Sequence, residues 1–140
     1  MINDKEIIRA ALDARKKAYA PYSKFYVGAA LLTQNNKIFT GCNIENSSYG
    51  ATNCAERTAI FKAISEGEKE FSSIAIAGGG ESDPDSYAFP CGICRQVMRE
   101  FTNPKEFRVI VATSEENYKV YTLEQLLPDS FGPENLEIHN

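Results

Sequence analysis

The sequence predicts an α/β protein with a three-layer α-β-α architecture, in which helices cover both faces of a five-stranded mixed sheet. Three observations favour this fold. β-rich runs alternate with amphipathic segments along the chain, only residues 114–117 separate the last two β-rich runs, and the composition is close to the globular average, with 43% hydrophobic and 24% charged residues. We expect residues 1–140 to form a single domain, because a chain of this length buries a sizeable core.

The first half of the chain predicts a helix, a hairpin and a second helix. Apolar residues recur at helical spacing within residues 4–18, behind Asp4 as a candidate N-cap. Residues 25–33 and 37–43 are β-rich and flank a turn-forming Gln-Asn-Asn segment, which favours an antiparallel hairpin. Residues 54–66 have a helical pattern that stops at a glycine.

The second half alternates strands and helices. We expect strands at 72–77, 108–113 and 118–121, with helices at 91–101 and 122–127. The strand and helix order from the hairpin onward implies parallel pairing there. The linker before the last strand is too short for a parallel crossover, so that strand should turn back antiparallel. A capping-box pattern opens the final helix.

Charge and targeting signals limit the possible partners. The chain has 15 basic and 19 acidic side chains, a net charge of -4, and no basic stripe that could follow a phosphate backbone. A long nucleic acid is therefore not an expected partner. We find no apolar run long enough to cross a bilayer and no secretory signal at the start, so we expect a cytoplasmic protein without membrane contact. Its four cysteines should then be thiols or metal ligands.

Three cysteines and one glutamate predict a hydrolytic metal centre. Cys54 and Glu56 stand two residues apart, and Cys91 and Cys94 stand three apart after a proline. Three thiolates fill three corners of a tetrahedral zinc ion and leave the fourth for water, while a carboxylate outside the ligand set can carry protons. Cys54 must lie at the irregular entrance of its helix to share a site with Glu56, because residues two apart on a regular helix point to different sides.

Charge balance singles out Arg57. Three thiolates around one divalent ion leave about one excess negative charge, which weakens the ion as an acid. Arg57 follows Glu56, and Arg95 follows Cys94. Either guanidinium could donate to the ligand sulfurs, and either could instead be an ordinary surface side chain.

Two other interpretations of the cysteines remain open. Cys91 and Cys94 alone also fit a dithiol redox motif, which would form a reversible disulfide and would not require Cys54 with Glu56. A purely structural zinc site would need a fourth protein ligand, for which Cys42 and His139 are candidates. Cys42 is better interpreted as a buried free thiol, and His139 as a solvated tail residue.

Beyond these motifs, the chain resembles the small homotetrameric cytidine deaminases over almost its whole length. The matching segments are 21–25 (PYSKF), 27–31 (VGAAL), 41–46 (GCNIEN), 54–59 (CAERTA), 90–96 (PCGICRQ) and 126–131 (LLPDSF). The resemblance implies a cytidine deaminase-like fold, one zinc ion per subunit bound by Cys54, Cys91 and Cys94, and proton transfer by Glu56.

The same resemblance implies contacts with a nucleoside. By this resemblance, Asn43 and Glu45 bind the ribose. Phe25 and the Ala55 backbone N–H contact the pyrimidine, and Tyr49 and Phe131 come from neighbouring subunits. Without the resemblance, Asn43 and Glu45 would be interpreted as a polar strand end, and Phe25 and Phe131 as core aromatics.

The function implied is the zinc-dependent hydrolysis of cytidine and deoxycytidine to uridine and deoxyuridine plus ammonia, in pyrimidine salvage. A related substrate such as blasticidin S, a zinc module without catalysis and a thiol oxidoreductase are the alternatives. An implied homotetramer would make an isolated monomer inactive.

Overall fold

A computed structural model describes residues 1–138, so the predicted tail position of His139 lies outside the described residues. The strands are β1 (Tyr26–Thr33), β2 (Ile38–Cys42), β3 (Phe71–Gly79), β4 (Arg108–Ala112) and β5 (Tyr118–Thr122). The helices are α1 (Asp4–Arg15), α2 (Ala55–Ser65), α3 (Gly92–Phe101) and α4 (Leu123–Leu126). The five strands form one mixed sheet in the order β2-β1-β3-β4-β5. The predicted α/β class and five-stranded mixed sheet are confirmed.

No helix within residues 1–138 is both long and apolar enough to span a bilayer.

The two faces of the sheet carry separate apolar clusters. Ala30, Ala75 and Ile110 pack against α1 on one face. On the other face, alternate residues of the same strands, such as Leu31 and Val109, pack against α2 and α3. This division follows from the two-residue period of a strand, and it produces the three layers.

The topology differs from the prediction at the hairpin. β1 lies between β2 and β3 and is antiparallel to both. Only β3 and β4 form a parallel pair, so the expected parallel pairing of β2 with β3 is wrong. β5 turns back antiparallel to β4, as its short linker predicted, and the hairpin of β1 and β2 is confirmed.

Several boundaries also shift. α1 ends at Arg15 instead of residue 18, and its N-cap is Asn3, whose side chain accepts a hydrogen bond from the Glu6 N–H at 2.9 Å. Asp4 is already helical, so its predicted role as the N-cap is wrong. β3 continues through Gly79 because that end pairs with the start of β1. The capping box of α4 between Thr122 and Gln125 is confirmed.

Candidate active site

Two helix entrances bring three thiols together. Cys54 is the N-cap of α2, and Cys91 is the N-cap of α3. Cys94 lies in the first turn of α3 and is buried. The helix N-termini present N–H groups without intrahelical partners, which favour negatively charged sulfur. Cys54 therefore occupies the irregular entrance that a shared site with Glu56 requires.

The sulfur positions fit a tetrahedral zinc ion. The Sγ atom of Cys91 lies 3.9 Å from that of Cys54 and 3.5 Å from that of Cys94. All three ligand atoms lie within 4.8 Å of one another. Zinc–sulfur bonds of about 2.3 Å at tetrahedral angles place sulfurs about 3.8 Å apart, which these distances bracket.

The cluster supplies three protein ligands and no more among residues 1–138. Cys42 lies outside it and is partly exposed, so its predicted burial is wrong and it is not the fourth ligand of a structural site. All four cysteines are free thiols, and the Cys91–Cys94 sulfur distance of 3.5 Å is far from a disulfide bond. A donor set of three thiols leaves one position of a tetrahedral ion for a non-protein ligand.

Glu56 is buried beside the thiols. It lies in the first turn of α2 and is 4% exposed. Burial, with a smaller contribution from the negative charge of Cys54, raises the pKa of this carboxyl to about 7, although a backbone hydrogen bond and Arg57 both oppose the shift. A carboxyl with a pKa near neutrality both accepts and releases a proton at working pH, which general acid–base chemistry needs.

Arg57, and not Arg95, is the cation that contacts a sulfur. Its Nη2 donates to Cys54 Sγ at 3.1 Å, and its Nε is buried without a hydrogen-bond partner among the described residues. Arg95 instead donates to the backbone oxygens of Pro90 at 2.7 Å and Leu126 at 2.6 Å. The charge-balance prediction therefore applies to Arg57 alone.

The thiols differ in their readiness to ionise. The contact with Cys94 and the Arg57 guanidinium lower the pKa of Cys54 to about 5, against the effect of burial. The pKa of Cys94 is raised by its contact with the Cys54 thiolate and by burial. Cys54 is thus the thiol that ionises first, because Arg57 stabilises its negative charge.

Asn43 joins Phe25 to the strand ends. Its Nδ2 donates to the Phe25 carbonyl oxygen at 2.8 Å, and its Oδ1 accepts from the Val27 N–H at 2.9 Å. The Phe25 ring lies over β3, where a Cβ added to Gly78 would meet it at 3.2 Å. Phe25 is 44% exposed, so it is not a core aromatic.

Glu45 holds a neighbouring loop whose part in the site the sequence did not reveal. Its carboxylate accepts hydrogen bonds from the N–H groups of Tyr22 at 3.0 Å and Ser23 at 3.1 Å, and from the Ser23 hydroxyl. These bonds hold the pKa of Glu45 below its usual value. Tyr22 also makes an edge contact with Tyr49, with ring centroids 5.8 Å apart. The only sequence signal for this loop was its place in a matching segment.

Backbone pairing connects this loop to the thiols. Ile44 and Asn53 exchange two hydrogen bonds of 2.9 and 3.0 Å, which places residues 43–45 beside the residue that precedes Cys54. Ala55 begins α2, so its N–H has no intrahelical partner.

Phe131 stands apart from this group. It is 59% exposed, and its carbonyl oxygen accepts a hydrogen bond from Gln96 on α3 at 2.9 Å. Tyr49 is 75% exposed, and its ring contact with Tyr22 connects it to Glu45 of the same chain. Within residues 1–138, no hydrogen bond or ring contact thus joins Phe131 directly to Phe25, Asn43, Glu45 or Tyr49.

Comparison with known proteins agrees with this geometry. The family model described as "Cytidine and deoxycytidylate deaminase zinc-binding region" matches residues 1–112. A cytidine deaminase of Sporosarcina psychrophila is 45% identical over 131 residues, which cover 94% of this chain and 93% of that protein. A cytidine deaminase of Halalkalibacterium halodurans is 45% identical over 93% of this chain and 95% of that protein. The crystal structure of cytidine deaminase from Burkholderia pseudomallei superposes with a TM-score of 0.84 at 46% identity, covering 93% of this chain and all of that one.

Proposed function

Because the chain belongs to the cytidine and deoxycytidylate deaminase family, we propose that it is a zinc-dependent hydrolase that converts cytidine and deoxycytidine into uridine and deoxyuridine with release of ammonia. One observation carries this proposal. Three thiols, with no fourth protein ligand in the described part of the chain, lie beside a buried carboxyl of raised pKa. An open metal position next to a proton carrier is the arrangement that hydrolysis requires.

Cys54, Cys91 and Cys94 are the residues that would hold one zinc ion per subunit. When bound there, zinc supplies Lewis-acid chemistry, which lowers the pKa of water towards neutrality. Arg57 offsets the excess negative charge of the thiolates through its hydrogen bond to Cys54. The helix N–H groups favour the charged form of the sulfurs, and the burial of Cys94 in the first turn of α3 fixes the position of its side chain.

Glu56 carries the protons of the reaction. It accepts a proton from the attacking water while the water oxygen forms a bond to C4 of the cytosine ring. It then delivers that proton to N3. Next it accepts a second proton, from the new C4 hydroxyl, and passes it to the exocyclic amine. The bond from C4 to that nitrogen breaks as the C4 carbonyl forms, which releases ammonia. Two single proton transfers through one carboxyl work best when its pKa lies near the working pH, as burial provides here.

The remaining residues position the nucleoside in this proposal. Asn43 and Glu45 bind the ribose hydroxyls, Phe25 packs on the pyrimidine, and the Ala55 N–H binds a base oxygen. Tyr49 and Phe131 reach the site of a neighbouring copy, so the active form is a homotetramer. Both side chains are more than half exposed, which leaves them free for that contact. The substrate is a free nucleoside, and the reaction belongs to pyrimidine salvage in the cytoplasm.

The alternatives fit the structure less well. A zinc module without catalysis predicts a fourth protein ligand, and the cluster in residues 1–138 has three. A thiol oxidoreductase requires only Cys91 and Cys94, and it leaves the third thiol of the cluster, Cys54, and the buried Glu56 without a role. Blasticidin S shares the reacting ring, so the turnover of cytidine, deoxycytidine and blasticidin S has to be compared directly.

The test combines metal analysis with the loss of ultraviolet absorbance as cytidine becomes uridine. We expect one zinc per chain and steady turnover. The variant Glu56→Gln should keep zinc and the melting temperature but lose about 10²- to 10⁴-fold or more in kcat. Glu66→Gln changes an exposed carboxyl at the opposite end of the same helix and should leave kcat unaltered. Near-normal turnover by Glu56→Gln would refute its role, and a metal-free, inactive preparation would refute the proposed function.

A further inference from the structure

The segment that carries Phe131 has little regular structure of its own. It follows α4 and contains only the 3-10 helix Pro133–Leu136. Phe131 itself is 59% exposed, so packing within its own chain does not fix its ring. Contacts of the Phe131 backbone and of the residues on either side of it must therefore determine where the ring is presented.

Two side chains of α3 supply those contacts. Gln96 Nε2 donates to the Phe131 carbonyl oxygen at 2.9 Å. Arg99 Nε donates to Ser130 Oγ at 2.8 Å, and its two terminal nitrogens donate to the Glu134 carboxylate, one of them at 3.2 Å. Gln96 and Arg99 are three residues apart and hence lie on one side of the helix. The segment is thus bound before, at and after Phe131.

The Arg99 contacts depend on a planar guanidinium. Arg99 is 8% exposed, and its fork meets the two carboxylate oxygens of Glu134 while Nε remains for Ser130. The backbone runs directly against the same group, since a Cβ added to Gly132 would lie 2.3 Å from Arg99 Cζ. A lysine keeps the charge but cannot bind both partners in this geometry.

The same helix begins at the candidate metal site. Cys91 caps α3 and Cys94 lies in its first turn. Gln96 and Arg99 therefore bind the segment to the same helix that carries two of the three thiols. We infer that Arg99, assisted by Gln96, is a positioning residue that fastens residues 130–134 to α3 and so presents Phe131 to the pyrimidine site of a neighbouring copy. This inference rests on the proposed function, in particular on the role of Phe131.

The test measures kcat and KM for cytidine in the zinc-loaded protein, for Arg99→Lys, Glu134→Gln and Gln96→Ala, each with and without Phe131→Ala. Glu134 is exposed, so its variant tests the contact even where a substitution at buried Arg99 impairs folding. Lys105→Ala is the matched control, because Lys105 lines the same cavity as Arg99 and its side chain has no hydrogen bond or ion pair within residues 1–138. Amide hydrogen exchange of residues 129–135 reports the fastening without reference to activity.

We expect the three variants to raise KM by about three- to tenfold with kcat changed less than about twofold, since a displaced contact residue mainly weakens binding. In the Phe131→Ala background they should have no further effect, and exchange in the segment should accelerate. Lys105→Ala should change none of these quantities.

The outcomes separate the inference from its premise. If Phe131→Ala raises KM but the three variants do not, the Arg99 contacts do not position Phe131 and the inference is wrong. If the variants raise KM equally in both backgrounds, Arg99 acts independently of Phe131 and the inference is wrong as well. If Phe131→Ala leaves KM unchanged, the role of Phe131 and the inference both fall, while turnover and zinc content of the unchanged chain still support the deaminase.

Discussion

Replacing Gly41 with alanine tests how the sheet positions the candidate metal site. Gly41 lies in β2, directly under the first turns of α2. A Cβ at this position would lie 2.6 Å from the Ala55 carbonyl oxygen and from the Ala59 nitrogen, where ordinary contact begins at 3.4 Å. Since these atoms belong to the helix backbone, no side chain can rotate away. The helix has to move by about 0.8 Å at the end that carries Cys54 and Glu56.

The cost follows from this displacement. Overpacking a buried site costs about 1–3 kcal/mol, which corresponds to a fall in melting temperature of about 4–12 °C for a domain of this size. A shift of Cys54 against Cys91 and Cys94 also distorts the ligand triangle. Changes that misplace metal ligands typically reduce metal affinity by about 10- to 100-fold, and we expect a loss of that order.

Thermal unfolding, zinc affinity by competition with a chromophoric chelator, and kcat measure these effects. Gly28→Ala is the control on the other face, because its Cβ would lie 2.0 Å from Ala11 O and push α1 instead of α2. It should lower the melting temperature while the folded protein keeps its zinc affinity. Gly50→Ala should be neutral, since nothing lies within 4 Å. An unchanged melting temperature for Gly41→Ala, or a destabilised variant with unchanged zinc affinity, would refute the reasoning.

Two further predictions concern charge. Arg57→Ala should lower zinc affinity or kcat by about 10- to 100-fold, because it removes the cation that donates to Cys54. Arg57→Lys should lose less. An Arg57→Ala variant with the zinc affinity and kcat of the unchanged protein would contradict charge balance at Cys54. Arg108 binds the Asp4 carboxylate through two nitrogens at 2.9 and 2.7 Å and lowers its pKa from 3.8. Asp4→Asn should therefore lower the melting temperature by about 2–4 °C at pH 6–7. Because the folded pKa of Asp4 is lowered, this difference should shrink as the pH falls below 3.8 towards the folded pKa, and a difference that does not narrow below pH 3.8 would exclude the ion pair as its cause.

The sequence predicted the elements of the fold better than their arrangement. Local patterns and short linkers specified the hairpin and the reversal into β5, which are contacts between neighbours in sequence. The insertion of β1 between β2 and β3 depends on pairing across more than 40 residues, for example Ala30 with Ala75, which no local pattern reports. The composition of β1 does indicate a central strand, because Gly28 allows α1 to approach one face while Leu31 is buried on the other.

For the site, residue spacing was enough to predict the thiol cluster but not its surroundings. Arg57 and Arg95 each stand close to a predicted ligand in sequence, so spacing could not choose between them. The choice depends on Arg95 reaching the backbone oxygen of Leu126, 31 residues away. The contacts of Gln96 and Arg99 with the Phe131 segment span similar separations, which explains why sequence patterns did not reveal them.

The residues proposed for ribose binding already have partners, and this favours a preorganised site. Each end of the Asn43 amide makes one hydrogen bond, to Phe25 and from Val27, while an amide offers two donors and two acceptor positions. Glu45 accepts from Tyr22 and Ser23 and, as a carboxylate, has about one acceptor position left. A sugar hydroxyl can therefore join these groups without breaking the hydrogen bonds that they already make. Because these hydrogen bonds fix both side chains beforehand, the nucleoside does not have to order them on binding, which reduces the entropic cost of association.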